Sequence, residues 1–290
     1  MPKRAPDQMR FLVGLLLCCL PVAVAEQMPP AAAAELVRVT VNHELKAGRS
    51  NFMFCSRKQT PRGSQTHLYV TSKEATVGML VAVNDRPLDP TQRQAESDRL
   101  DHLANNPSEL RRKHKQETDN ADRVTRIVRA MPDAFTYQYD GMDQGSDGVA
   151  FRGDPLVRLK FQPNPKYQPP TRVEQVLTGM HGVILIDANK HRIAKVDGTL
   201  YRDVSFGWGF FGRLNKGGKF QIEQAQVSED AWEITRMELN FKGRILLFKS
   251  LVINSSEIFS NFQKVPDGLS FAEAVALLKK QKANNAGTRN

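Results

Sequence analysis

GVILIDANKHRIAKV, residues 182–196, is the stretch that most directly decides the fold. Two apolar runs, 182–186 and 192–196, flank Asp187-Ala188-Asn189-Lys190, which is typical of a tight turn between two antiparallel strands. Similar alternation at about 199–206, 219–227, 231–241 and 245–253 extends this hairpin into an antiparallel meander, with a turn at Lys242-Gly243. Within 231–241, the large apolar residues fall on even positions up to Ile234 and on odd positions from Met237. This change predicts a β-bulge near Thr235-Arg236, which would keep the apolar side chains on one face.

The N-terminal half predicts further strands and a helical interruption. Val37, Val39 and Val41 alternate with polar residues, so a strand is expected there, followed by strands at 51–59, 66–72 and 76–83. Asp89-Pro90 is a helix-start signal and opens a charged segment that should form two helices. Strands are expected again at 135–139 and 156–161, and a last helix from Ser270 to about Lys280.

The order of strands, helices, strands and terminal helix predicts a mainly β (α+β) fold. We expect one large curved antiparallel sheet or half-barrel, with the helical insertion and the C-terminal helix covering the concave side. So many strands do not lie flat, which is why curvature is expected. The predicted boundaries are a flexible leader at 26–35, a single domain at 36–280 with its helical insertion at about 90–131, and a disordered tail at 281–290.

The first 25 residues read as a secretory signal peptide. Basic residues precede an apolar run at 11–20, and Ala23-Val24-Ala25 supplies the small residues at which such a leader is cut. Lipid attachment at Cys18 or Cys19 is disfavoured, because the residues just before them are not small. We therefore predict cleavage near Ala25, a periplasmic or secreted location, and no transmembrane segment.

The charge and cysteine content narrow the class of protein. Residues 26–290 carry a net charge of +8, but four of the basic residues lie in the last twelve positions, so the folded part is only weakly basic. A nucleic-acid partner is therefore not expected. Cys55 is the only cysteine after cleavage, which excludes an internal disulfide, and its apolar neighbours indicate a thiol packed in a strand.

An aromatic and glycine-rich segment is the first candidate site. Phe206, Trp208, Phe210 and Phe211 alternate with three glycines. If the segment lies at the rim of the sheet, these aromatics can contact an acyl chain or a membrane interface. The alternative is a hairpin in which the glycines allow the aromatics to pack into the sheet.

A basic cluster in the helical insertion is the second candidate site. Arg111, Arg112, Lys113 and Lys115 lie outside the apolar stripe of their helix, and we interpret them as an anion-docking face. The alternative is an ordinary solvated helix surface.

No pattern in the chain identifies a catalytic, metal or cofactor site. The six histidines show no metal-ligand spacing. His181 and His191 could face each other near Asp187, although such neighbours are usually accidental. The serine-hydrolase and zinc-protease motifs are absent, so we predict no catalytic residue, no metal and no cofactor, and the enzyme question stays open.

Together, the leader, the sheet with helices inserted midway and the 182–196 hairpin resemble the periplasmic lipoprotein-carrier (LolA/LolB-like) half-barrel group. The resemblance covers about 37–253 and implies an apolar cavity for acyl chains between sheet and helices, although the charged insertion is longer here. We therefore expect a monomeric exported binding protein for a lipid or lipoprotein. The alternatives are an envelope interaction module with a solid core, a basic docking face and a partner protein, and a hydrolase with a dispersed site.

Overall fold

The structure, a computed structural model, describes residues 28–48, 51–206, 212–245 and 249–287, with side chains described up to residue 281. The helices are α1 (Pro30–Lys46), α2 (Pro90–Ala104), α3 (Pro107–Ala134), a 3-10 helix (Glu174–Gly179) and α4 (Phe271–Gly287). The strands are β1 (Phe52–Thr60), β2 (Gly63–Thr71), β3 (Thr76–Val83), β4 (Arg86–Pro87), β5 (Phe135–Gln144), β6 (Pro155–Pro163), β7 (Met180–Asp187), β8 (Arg192–Leu200), β9 (Val204–Phe206), β10 (Gly212–Leu214), β11 (Lys219–Ser228), β12 (Ala231–Ile245) and β13 (Lys249–Lys264).

All of these strands belong to one antiparallel sheet that is not closed. The order is β4-β3-β2-β1-β13-β12-β11-β8-β7-β6-β5, with β9 and β10 paired beside the end of β12. The predicted mainly β fold, with a helical insertion and a C-terminal helix, is confirmed. The bulge is confirmed as well, because the register of β11 with β12 slips by one residue and leaves Thr235 without an opposite partner.

Helix α3 demonstrates that the sheet is strongly curved. Its Glu117 contacts β3, near one end of the strand order, and its Met131 packs in the core cluster that contains β5, at the other end. These residues are 14 positions apart, about 21 Å along a helix axis. Nine strand spacings would separate β3 from β5 by about 43 Å in a flat sheet. The sheet therefore curls, and α3 crosses its open side.

Two clusters of buried apolar side chains pack on opposite faces of the sheet. The larger cluster joins α1 and the C-terminal part of α3 to β5–β8, through residues such as Leu159 and Ile184. The smaller cluster packs α4 on β1–β3, through residues such as Val70 and Val77.

The pairing of successive strands places Ile184, Lys58 and Phe54 on the same face of the sheet. Val70 and Val77 lie on the opposite face. We call the face that α1 and α3 cover the inner face. Helix α4 packs on the opposite face, so the prediction that the C-terminal helix covers the concave side is wrong, although the helix itself is present.

The N-terminal segment corrects two predictions. Residues 30–46 form helix α1 where a flexible leader and a strand were expected. Ala33, Val37, Thr40 and Val41 are its buried residues, at the spacing of a helical stripe. Val37 and Val41 fit both the strand pattern and a helical i, i+4 pattern. Ala33 extends the helical pattern by one turn, and the helix forms because this stripe is buried against the sheet.

Three other boundaries differ from the predicted ones. Strand β12 continues through Lys242-Gly243, where a turn was expected, because Gly243 admits β10 alongside it: a Cβ there would lie 2.1 Å from the carbonyl oxygen of Arg213. Strand β13 continues to Lys264 through polar residues that gave no strand signal. Helix α4 extends to Gly287, into the predicted tail.

Candidate functional site

Side chains of the helical insertion form hydrogen bonds with three backbone groups of the β3 edge. Glu96 of α2 accepts a 2.8 Å hydrogen bond from the backbone N–H of Leu80, and Arg99 donates one of the same length to the carbonyl of Gly78. Further along the strand, Glu117 of α3 accepts from the N–H of Thr76 at 2.9 Å. An open strand edge is a template for unwanted pairing, so these contacts protect the sheet where only the short β4 adjoins β3.

A pocket of about 410 Å³ lies between this edge and helix α2. Its size is within the range of small-molecule sites. Its walls are apolar and polar in similar measure, and the residues that line it are His67, Tyr69, Gly78, Leu80, Glu96, Arg99, Leu100, Leu103, Lys113 and Phe271.

An ion pair forms the polar wall of the pocket. Arg99 donates two 2.7 Å hydrogen bonds to Glu96, which is 8 % exposed. Burial acts to raise the pKa of Glu96, but the hydrogen bonds from Arg99 and from the Leu80 N–H outweigh it, so the pKa is lowered. The same pairing raises the pKa of Arg99. Both groups are therefore charged at neutral pH.

The two ring side chains that face this pair are uncharged. Burial lowers the pKa of His67 and raises that of Tyr69. Their rings stack with centroids 5.6 Å apart. The pocket thus combines one ion pair, of which only the carboxylate is buried, with a neutral aromatic surface.

That aromatic surface continues along the inner face as a row across β2, β1 and β13. Phe54 stacks on Tyr69 at 5.4 Å and on Phe262 at 5.7 Å, and the ring of Phe259 lies 6.2 Å from it. These four rings and His67 are half-buried. We call them the aromatic row. Solvent therefore reaches a continuous apolar surface that ends in the pocket.

Glycine at position 78 is required for the row to meet the pocket. Gly78 pairs with Tyr69 across β2 and β3, and a Cβ at this position would lie 2.4 Å from a ring carbon of Tyr69. The Tyr69 ring can lie over the backbone of β3 only because no side chain is there.

Beyond the aromatic row, the inner face carries the Glu257 carboxylate, which accepts a hydrogen bond from Ser56 and pairs with Lys58, and then apolar side chains of the middle strands. Ile222, Met237 and Leu239 of β11 and β12 and Ile253 of β13 have the inner parity and are half-buried. They link the row to the larger core cluster. The inner face is thus filled by side chains beneath α1 and only partly covered toward β1 and β2.

The structure separates the four basic residues that were predicted to dock an anion. Lys113 lines the pocket and pairs with Glu117 at 2.7 Å, and Lys115 pairs with Asp119 at 2.8 Å. Arg111 and Arg112 are exposed on α3. Docking through all four stays a prediction.

Of the aromatic residues predicted to bind a ligand, Phe206 lies in β9 and packs against the larger core cluster. Trp208, Phe210 and Phe211 lie outside the described residues.

The suggested meeting of two histidines near Asp187 is wrong. His181 is at the start of β7, opposite Thr199, and its ring contacts Tyr201. His191 follows the far end of the same strand and lies near His43, with ring centroids 6.5 Å apart. The length of β7 therefore separates them. Within the described ranges, no three histidine, cysteine or acidic side chains are grouped in a way that could hold a metal ion.

Sequence reasoning missed Glu96 and Arg99. They are three residues apart in a helix with charged residues along its length, where an exposed pair is the default expectation. Their burial depends on β3, which is a contact between distant elements. The aromatic residues of β1 and β13 were likewise not recognised as one row, because the pairing of these strands joins the two ends of the chain.

Comparison with known proteins identifies no family for the chain. No protein-family model matches it, and no curated protein does. Among solved structures, it is similar to a domain described as an outer membrane lipoprotein-sorting protein from Vibrio parahaemolyticus, with 10 % identity, 87 % of this chain and 100 % of that chain covered, and a TM-score of 0.32. A DUF1329 family protein from Desulfovibrio piger ATCC 29098 matches with 11 % identity, coverages of 84 % and 96 %, and a TM-score of 0.29.

The first of these structures is described by lipoprotein sorting, the role of the group that the sequence pattern resembles. At TM-scores below 0.5, neither match carries an argument about ligand or site. No helix in the described part of the chain has the length and apolar character needed to cross a membrane.

Proposed function

We propose that this chain is an exported envelope protein that binds an amphipathic ligand, such as a lipid or an acylated protein, on its inner face. The observation that carries the proposal is the half-buried aromatic row, which runs across three strands and ends at the Glu96–Arg99 pocket. The signal-peptide pattern of residues 1–25, which lie outside the described residues, supports the exported location.

The shape of the site fits a chain-like ligand with one polar end. Aromatic rings offer apolar area that loses water when an acyl chain covers it, and each buried methylene group contributes about 0.8 kcal/mol. The pocket at the end of the row is lined by the Glu96–Arg99 ion pair and by Lys113, which can bind the polar group of the ligand. A ligand oriented in this way places its apolar part along Phe54 and Phe259.

The experiment is a titration with a fatty acid whose fluorescence rises in an apolar environment. Phe259→Ser removes a half-buried ring from the row. The lost apolar contact with the ligand should lower the binding free energy by about 1.4 kcal/mol, so we expect about tenfold weaker binding. Ile258→Ser is the matched control, because its side chain lies on the opposite face of the same strand and is 38 % exposed. Equal binding by the two variants, or no saturable binding by the unmodified protein, would refute the proposal.

A further inference from the structure

The β12–β13 hairpin extends beyond the neighbouring strands as an arm. Strand β1 pairs with β13 only from Ser256 onward, whereas the pairing with β12 continues back to Lys249. Seven residues at about 3.3 Å each make the arm roughly 23 Å long. On its other side it carries β10, which pairs with the last residues of β12, and β9 beyond it.

The arm itself is basic, and the nearest acidic residues of its strands, Glu238 and Glu257, lie just below its base. In sequence, the stretches 204–222 and 239–256 carry six basic residues and neither aspartate nor glutamate. Residues 26–278 have a net charge of +4 in all, so the remainder of that part carries −2. The six basic residues are Arg213, Lys216, Lys219, Lys242, Arg244 and Lys249.

Four of these side chains share the outer face of the sheet. Arg213 is directly opposite Arg244, Lys242 is two residues further along the strand, and Lys219 is opposite Asn240. All four are exposed. Arg213 pairs with Asp203, but among the described residues no ion pair is found for the other three. Like charges placed opposite each other destabilise a sheet, and a negatively charged partner removes that cost.

Exposed apolar residues lie within the same arm. Val252 is opposite Lys242 and is 66 % exposed, and Ile245, at the last position of β12, is 40 % exposed. Basic and apolar residues together favour binding to an anionic lipid surface, which attracts both kinds of side chain. Non-specific binding to a nucleic acid depends on charge and gains nothing from exposed apolar residues.

From these observations we infer that the arm docks the protein on an anionic lipid membrane, with Lys219, Lys242 and Arg244 at the headgroups and Val252 at the apolar boundary. This contact is distinct from the inner face, since the basic residues have the outer parity. The titration with free fatty acid involves no membrane, so either claim can fail without the other.

The test is co-sedimentation of the full chain with vesicles of phosphatidylethanolamine and phosphatidylglycerol at low salt. A basic residue near an anionic surface contributes about fivefold to partitioning, so Lys242→Gln/Arg244→Gln should lower it about 25-fold. The matched control, Arg86→Gln/Lys166→Gln, changes the net charge equally at exposed positions outside the arm and should lower it less than threefold. Val252→Asn should weaken the binding that remains at high salt.

Three results would overturn the inference. The first is equal binding to vesicles without phosphatidylglycerol, and the second is an equal loss for the arm variant and its control. The third is binding to duplex DNA as strong as binding to the anionic vesicles, with no effect of Val252→Asn, which would identify a surface for charge alone. Unchanged thermal unfolding of each variant ensures that a loss of binding does not reflect misfolding.

Discussion

Replacing Glu96 tests whether the helical insertion supports the β3 edge and the pocket. The carboxylate accepts hydrogen bonds from the Leu80 N–H at 2.8 Å and from Arg99 at 2.7 Å. A hydrogen bond to a charged group contributes about 1.5–3 kcal/mol. The ion pair adds only about 0.5–1 kcal/mol, because the Arg99 side chain is 50 % exposed. Glu96→Ala should therefore lower the free energy of unfolding by about 3 kcal/mol.

Glu96→Gln is the matched variant, because its amide oxygen still accepts from Leu80 while the charge is lost. We expect a cost of about 1 kcal/mol, measured by urea unfolding at pH 7. The lowered pKa of Glu96 adds a second readout. Its contribution to stability is present above the unfolded pKa of about 4.3 and is lost as the pH falls through the lower pKa of the folded state. The difference between the parent and Glu96→Gln should therefore shrink from pH 7 to pH 3. Equal costs for the two variants, or a difference that does not change with pH, would refute the reasoning.

Three further predictions concern other parts of the molecule. Gly78→Ala should displace the Tyr69 ring, cost about 1–3 kcal/mol in thermal unfolding and weaken fatty-acid binding, unlike Gly48→Ala, where an added Cβ has no neighbour within 4 Å. Because burial lowers the pKa of His67, the unfolded chain binds its proton more readily and stability falls below about pH 6.5. His67→Gln should flatten the unfolding free energy between pH 7 and pH 5, and an unchanged slope would contradict this. Glu44→Ala should cost about 1–2 kcal/mol, because it removes both the acceptor of the Ile193 N–H and the ion-pair partner of the buried Arg192, and a cost below about 0.3 kcal/mol by urea unfolding would show that α1 is held without this side chain.

The elements that the sequence predicts well are those formed by neighbouring residues. The β7–β8 hairpin has its turn and both apolar runs within 15 residues, and the bulge at Thr235 follows from a parity change within one strand. Helix α1 was missed because Val37, Val39 and Val41 satisfy a strand pattern locally. Its true partners, in β5 and β8, lie about 100 to 160 positions away.

The candidate site illustrates the same limit. Glu96 and Arg99 look like surface charges in α2, and only the position of the β3 edge buries the carboxylate. The aromatic row requires β1 to pair with β13, which begins almost 200 residues later. Burial and side-chain neighbours that depend on such distant pairings are not encoded in local periodicity.

The most direct test of the central claim is native mass spectrometry of the protein purified gently from the envelope of its own host. A binding protein with the proposed inner face should carry added mass in the range of a lipid or an acylated peptide. That mass should be retained by Ile258→Ser and reduced in Phe259→Ser. A spectrum without any adduct, together with no saturable binding of the fluorescent fatty acid, would contradict the account.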